Sequence, residues 1–283
     1  MKLTVFARKI FECLFVPRCV FCGVRLPVSF TQEEDGAVFC ASCAEKYARA
    51  QRENCAVCNS PLGECLCSND FMKARGLANL VKVFFYRPND EDAVQNGLIY
   101  TLKRTRDRRT IDFCVDHLEQ SVRNLVPHLE GFTVTYAPRS ARAKRIYGHD
   151  QSELLARELA RRLALPFEHT LLRDPRAMEQ KHLEREERLR NMRGRYLLKK
   201  KASPEGKRYL LLDDVVTSGA TMLTAAKALR HAGAIRVIGV TVGISYRQDT
   251  AAQRNRLERK YALKGMRKAK KRRSALPPMA ARR

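Results

Sequence analysis

The sequence predicts an α/β protein: a mostly parallel sheet flanked by helices, with a Cys-rich metal module before it and a basic arm after it. Three observations carry this. Short apolar runs of strand length alternate with segments whose apolar residues recur every three or four positions. Nine of the ten cysteines lie before residue 68, and 14 of the 55 Lys and Arg fall at 247–283. With 45% hydrophobic and 30% charged residues among 283, the chain has material for a real core rather than a disordered one.

Taken in order, residues 1–16 read as a short amphipathic helix, with Phe6, Ile10, Phe11, Leu14 and Phe15 interrupted by Lys2, Arg8 and Lys9. Those charges, and the lack of a small-residue cleavage site after them, argue against a signal peptide. No run approaches the ~18–20 apolar residues of a membrane span, and the expected location is cytoplasmic. Residues 17–68 form the Cys-rich module. Within 69–246, Leu80–Tyr86 reads as a strand, Glu91–Lys103 and Thr110–Val126 as helices, and Phe132–Tyr136 as a strand. Gln151–Leu165 is a helix stopped by Pro166, and Phe167–Leu172 a short strand. Tyr209–Leu212 is an apolar strand, Thr221–His231 a helix closed by Gly233, and Ile235–Ile244 another strand. Between Arg173 and Arg195 runs a polar, arginine-rich connector, long enough to suggest function. Residues 247–283 carry 14 Lys and Arg against Asp249 and Glu258, +12 of the chain's +25. Pro277 and Pro278 follow a cluster of seven that is nearly all basic, so this arm is expected to stay disordered.

The cysteines have metal-ligand spacing. Cys19-x2-Cys22 and Cys40-x2-Cys43 are two knuckles of the kind that complete a tetrahedral thiolate site. Cys55-x2-Cys58 with Cys65-x-Cys67 suggests a second, tighter one. The spacing leaves open whether the pairs are used in sequence or interleaved, and one or two structural Zn2+ are expected. A disulfide framework is the alternative, and it suits an exported chain better than this one. The module looks too poor in apolar residues to hold itself together, so metal is expected to supply its folding energy. Cys13 and Cys114 read as buried thiols.

The run Tyr209-Leu-Leu-Leu-Asp213-Asp214-Val215-Val216-Thr217-Ser218-Gly219-Ala220-Thr221 carries the chemistry. A strand delivers two carboxylates to its carboxyl end, where open parallel sheets bind ligands. Small hydroxyl residues and a glycine then open a helix, a nest suited to phosphate. The acids suit ribose hydroxyls and a divalent cation. The run resembles the phosphoribosyl-pyrophosphate motif of type I phosphoribosyltransferases, which assigns the ligand to Asp213, Asp214, Val216, Thr217, Ser218, Gly219, Ala220 and Thr221.

With the cysteines, the chain resembles the ComF family of competence-associated proteins, a zinc ribbon joined to a phosphoribosyltransferase-like domain, over roughly 12–246. Leu102-Lys103 fits the family's Leu-Lys segment. Pro138, Arg139 and Ser140, after Ala137, stand where related enzymes hold pyrophosphate. Arg145-x-x-Gly148-x-Asp150-Gln151 resembles Arg-Gly-Phe-Asn-Gln, with Tyr147 and His149 departing. Gln180 and Glu187-Arg188-Leu189-Arg190-Asn191 resemble a stretch in the hood over the active site, with Arg176-Ala177-Met178 replacing the usual Thr. Lys103, Arg139, Arg188 and Arg193 are candidates for diphosphate contact.

The resemblance implies phosphoribosyl pyrophosphate or a related ribose phosphate as ligand, with Mg2+, and an accessory role in DNA uptake or utilisation alongside other DNA-uptake proteins. The charge independently implies nucleic acid, expected as single-stranded DNA, on the basic surface and arm. A merely solubilising arm is the alternative. The absence of Trp weighs against a mainly aromatic platform. Two other readings are an active phosphoribosyltransferase on a base or amine, and a nucleic-acid-binding sensor of the same ligand. No general base or nucleophile stands out; His149 and His182 read as surface residues.

Overall fold

The computed structural model describes residues 16–26, 37–55, 57–88, 90–174 and 196–245. The expected N-terminal helix, Cys13, the connector with Gln180, His182, Glu187–Asn191 and Arg193, and the basic arm lie outside them.

Six strands are described: β1 (Leu80–Phe85), β2 (Phe132–Tyr136), β3 (Leu171–Arg173), β4 (Tyr196–Leu198), β5 (Arg208–Val216) and β6 (Arg236–Ile244). Four of them form an all-parallel sheet in the order β1-β6-β5-β2, and β3 and β4 pair antiparallel apart from it. Helices are α1 (Ala41–Gln51), a single turn α2 (Asp70–Lys73), α3 (Asn96–Arg104), α4 (Arg108–Leu125), α5 (Ala141–Tyr147), α6 (Gln151–Leu163) and α7 (Ala220–His231). None of the described helices is long and apolar enough to cross a membrane.

Side-chain alternation along the strands divides the core. Leu210 and Leu212 of β5 pack with Leu98 and Leu102 of α3, Val115 and Leu118 of α4, and Leu155 and Leu159 of α6. Tyr209 and Leu211 face the other way, against Met222, Ala226 and Leu229 of α7 and against Met72. Burial on both faces explains why β5 and β6 read as continuous apolar runs. The sheet flanked by helices is therefore as the sequence predicts.

Four local expectations are corrected. The helix expected from Glu91 starts at Asn96, whose side chain instead ties the preceding loop: its Oδ1 accepts from Arg87 N and its Nδ2 donates to Arg87 O. Phe167–Leu172 is not one continuous strand: Phe167 makes one bridge to Val134, and only Leu171 and Leu172 belong to β3. The strand expected at Tyr209–Leu212 runs on through both aspartates to Val216. Lastly, the Cys-rich module has apolar residues enough, because they are buried in the common core. Leu26, Val38, Phe39 and Tyr47 join the cluster of α3 and α4, and Phe39 and Tyr47 meet Phe113 at ring distances of 5.7 and 5.3 Å. Gly97 permits this docking, since a Cβ there would fall 2.6 Å from Val20 O in the first cysteine knuckle.

Candidate functional site

The eight paired cysteines gather in sequence rather than interleaved. Cys19, Cys22, Cys40 and Cys43 bring their sulfurs within 4.8 Å of one another, and so do Cys55, Cys58, Cys65 and Cys67. Thiolates held tetrahedrally at about 2.3 Å from one ion lie about 3.8 Å apart. The Cys22–Cys40 and Cys58–Cys65 sulfurs are 3.7 and 3.3 Å apart, so both donor sets suit a tetrahedral zinc ion. Gly23 N donates to Cys19 O at 3.0 Å, closing the first knuckle, and Cys40 is the N-cap of α1. In the second cluster the Ser60 backbone N–H, joined by Cys65, lowers the Cys58 thiol to about 6. Burial raises Cys65 to about 12. Cys114 is a buried thiol in α4, as expected, and burial pushes it up.

At the carboxyl end of β5 the two aspartates are buried and differently held. Gln151 Nε2 donates to Asp214 Oδ2 at 2.7 Å, and Lys103 Nζ stands 3.9 Å from the same oxygen. Asp213 Oδ1 accepts from Ser152 Oγ at 3.4 Å and from the Asp214 backbone N at 3.1 Å. Burial first, and the Asp214 carboxylate second, push the Asp213 carboxyl well above the usual carboxylate range. The two acids thus sit in unequal surroundings, Asp214 facing Gln151 and Lys103 and Asp213 held by Ser152 and the Asp214 backbone.

After Val216 the chain turns through exposed Thr217 and Ser218 into Gly219, whose φ of +78° is the left-handed conformation glycine tolerates. A Cβ on Gly219 would lie 2.4 Å from Met72 Cγ, so the loop sits directly on Met72. Ser218 Oγ accepts from Ala220 N at 3.4 Å, and no side chain caps α7. The N–H groups of a helix's first turn have no partner within the helix, and such an end favours an anion.

Across β5 lies the loop after β2, anchored where Ala137 N donates to Leu212 O at 2.9 Å. Arg139 N donates to Asp150 Oδ2 at 2.9 Å, and Lys144 Nζ lies 3.1 Å from that oxygen. Tyr196 OH donates to Pro138 O at 3.3 Å, bringing β4 over the loop. The Arg139 guanidinium lies 4.9 Å from the Tyr147 ring centroid. Among the described residues, three buried side-chain atoms here have no hydrogen-bond partner: Arg139 Nη1, Asp150 Oδ1 and Gln151 Oε1. Buried polar atoms left unpaired are costly, and these three lie along one chain of contacts ending at Asp214.

Sequence reasoning missed α5, although its signals were present. Ser140 accepts from Ala143 N at 3.2 Å as N-cap, and Gly148, with φ +71°, closes the helix. The roles of Ser152 and Lys144 were also missed. His149 is buried rather than exposed, its ring nitrogens 2.7 Å from Tyr147 O and 2.9 Å from Leu102 O. It fixes the turn before Asp150 to α3.

The family model of the phosphoribosyl transferase domain matches residues 149–268, a stretch that holds β5, the glycine loop, α7 and β6. No curated protein matches the chain. Among solved structures the chain is similar to glutamine phosphoribosylpyrophosphate amidotransferase from B. subtilis complexed with ADP and GMP, at 20% identity over 62% of this chain and 30% of that one, TM-score 0.31. It is similar to TT1426 from Thermus thermophilus (21% identity, 52% of this chain, 86% of that one, TM-score 0.31). Adenine phosphoribosyltransferase from Thermoanaerobacter pseudethanolicus also matches, at 16% identity over 50% of this chain and 83% of that one, TM-score 0.29. The chain spans less than a third of the amidotransferase's length.

Proposed function

We propose that this is a ComF-like protein that binds phosphoribosyl pyrophosphate through the end of β5 and nucleic acid through the basic surface beside it. The observation that carries the first half is the line of unpartnered buried atoms, Arg139 Nη1, Asp150 Oδ1 and Gln151 Oε1, leading to the acid pair. In this reading the Val216–Thr221 loop and the α7 N-terminus take the 5-phosphate, and Asp214 with Asp213 takes the ribose hydroxyls. Pro138, Arg139 and Ser140 take the diphosphate from the β2 side, with Lys103 and Lys144 adding positive charge. Mg2+, when bound with the ligand, would offset diphosphate charge in the departing group. Phosphoribosyl transfer passes through a cationic sugar and asks chiefly for a positioned diphosphate, so the lack of an evident base does not argue against turnover. The acceptor, a base or amine, stays unassigned.

The nucleic-acid half is supported by α5. It buries no residue, and it presents exposed Arg142 and Arg145 beside Ile146 and Tyr147, which are 64% and 43% exposed. Cations interleaved with an exposed ring suit a single strand, phosphates on the charges and bases on the aromatic face. The residues 17–68 module, zinc-bound, and the 247–283 arm complete the proposed organisation. The DNA-uptake role, with its cytoplasmic setting and partner proteins, rests on the family resemblance.

Calorimetry tests the ligand. Phosphoribosyl pyrophosphate should bind more tightly than ribose 5-phosphate, and Mg2+ should strengthen only the former. Equal binding of the two with and without Mg2+ would remove the diphosphate from the reading.

A further inference from the structure

Lys82 stands in the middle of β1 and is completely buried. A lysine there is out of place by composition, since strand interiors of parallel sheets are apolar and buried cations require compensation. Its ammonium donates to three acceptors: Cys67 O at 2.9 Å, Cys65 O at 3.0 Å and Cys65 Sγ at 3.2 Å. All belong to the second cysteine cluster. The same segment runs along the edge of β1, where Leu80 N donates to Leu66 O at 2.8 Å, Ser68 N donates to Ala78 O at 3.0 Å, and Cys67 bridges Asn79. The cluster is thus the cover of the sheet's β1 edge, and Lys82 is the bolt through it.

We infer that Lys82 is the counter-charge of a metal held by Cys55, Cys58, Cys65 and Cys67, and that this metal pins β1 into the sheet. The inference rests on the zinc reading of that cluster. The chemistry is a matter of charge. Four thiolates around a divalent ion carry a net −2, which a buried site holds poorly without a cation. An ammonium directly on one sulfur halves that excess and orients the ligand, as outer-sphere donors to metal ligands do. In the first cluster Arg18 Nη1 donates to Gly23 O at 3.1 Å, but no lysine or arginine donates to a sulfur among the described residues, which gives an internal control.

The test is zinc content and zinc release from the full chain. Wild type should hold two zinc ions and give up both slowly to a colorimetric chelator. In Lys82→Met, one ion should be absent or released about 10–100-fold faster, the range for loss of an outer-sphere partner, while the other keeps its wild-type rate. Lys82→Arg keeps a charge and a sulfur donor, and should release that ion within a few-fold of wild type. Should Lys82→Met not fold, this arginine variant and a Lys82→Gln variant carry the comparison through release rate alone. Wild-type release from Lys82→Met overturns the role given to Lys82. If Cys55→Ser with Cys58→Ser leaves the zinc content of the chain unchanged, the second site holds no metal; then the zinc reading fails first and the inference with it.

Discussion

Asn substitution separates the two acids at the end of β5, which are expected to behave unequally. Asp214 faces two donors, Gln151 at 2.7 Å and Lys103 at 3.9 Å, whereas the Asp213 carboxyl is pushed upward by burial and by Asp214. A hydrogen bond from a ribose hydroxyl to a charged acceptor is worth about 1.5–3 kcal/mol, so Asp214→Asn should weaken phosphoribosyl pyrophosphate binding about 10–150-fold. Asp213→Asn removes a carboxyl that burial and Asp214 already hold against ionising, and should cost less, about threefold or below. The fold should survive both changes, because Gln151 has a free Oε1 and can turn its amide to accept from the amide that Asp214→Asn introduces. The pH dependence follows from Asp213. Its folded-state carboxyl is raised above the unfolded value, so the stability it contributes is full below pH ~4 and is lost as pH rises through the folded value. Asp213→Asn removes that loss, so the variant should gain stability over wild type as pH rises above ~4. Titration calorimetry at pH 7 and urea unfolding from pH 4 to 8 measure these effects. If Asp214→Asn binds like wild type, the acids are structural and the ligand assignment falls. If Asp213→Asn costs as much as Asp214→Asn, or its stability gain is flat with pH, the upward shift of Asp213 by burial is refuted.

Further outcomes follow from the rest of the chain. Cys19→Ser should lose zinc from the first site and open 17–26 and 37–51 to protease, since the thiolate shell contributes folding energy there; protease resistance without metal would refute this. Removing residues 254–283 should weaken single-stranded DNA binding several-fold at low salt and flatten its salt slope by close to one unit per lost phosphate contact. An unchanged slope would make the arm a bystander. Glu158 of α6 is drawn from 4.5 to about 2 by Arg161, and also by Arg162 and Arg108. Taken whole, that shift is worth about 3 kcal/mol. Arg108 and Arg161 are mostly exposed, however, and screening leaves about 1–2 kcal/mol. A depressed carboxyl stabilises above its unfolded value, so Glu158→Gln should be less stable at pH 7. Its deficit should shrink as pH falls from ~4.5 toward 2; a deficit independent of pH in urea unfolding would show packing, not charge, at that site.

Strands, helices and the acid–glycine run were legible because each is written in contiguous residues. Tyr209–Leu212 is apolar on every position since both faces of β5 are covered, and Asp213–Thr221 places acids, hydroxyls and glycine in one turn. Cysteine spacing likewise announced metal-ligand pairs, because pairs two residues apart are set by local backbone geometry, and left their grouping open. What the tertiary structure alone decided are relations between distant segments. That Cys55 closes with Cys65 and Cys67 rather than with the first knuckle depends on how residues 62–68 lie along β1. That Asp213 and Asp214 differ depends on Gln151, Ser152 and Lys103 arriving from α6 and α3. The apolar residues of the cysteine module find their partners in α3 and α4, far along the chain, so composition alone made the module look coreless. Lys82 shows the limit most plainly. In the sequence it is one charge interrupting a strand; only folding brings the Cys65 sulfur and two carbonyls around it, because electrostatic compensation is a property of neighbours in space and not of neighbours in the chain.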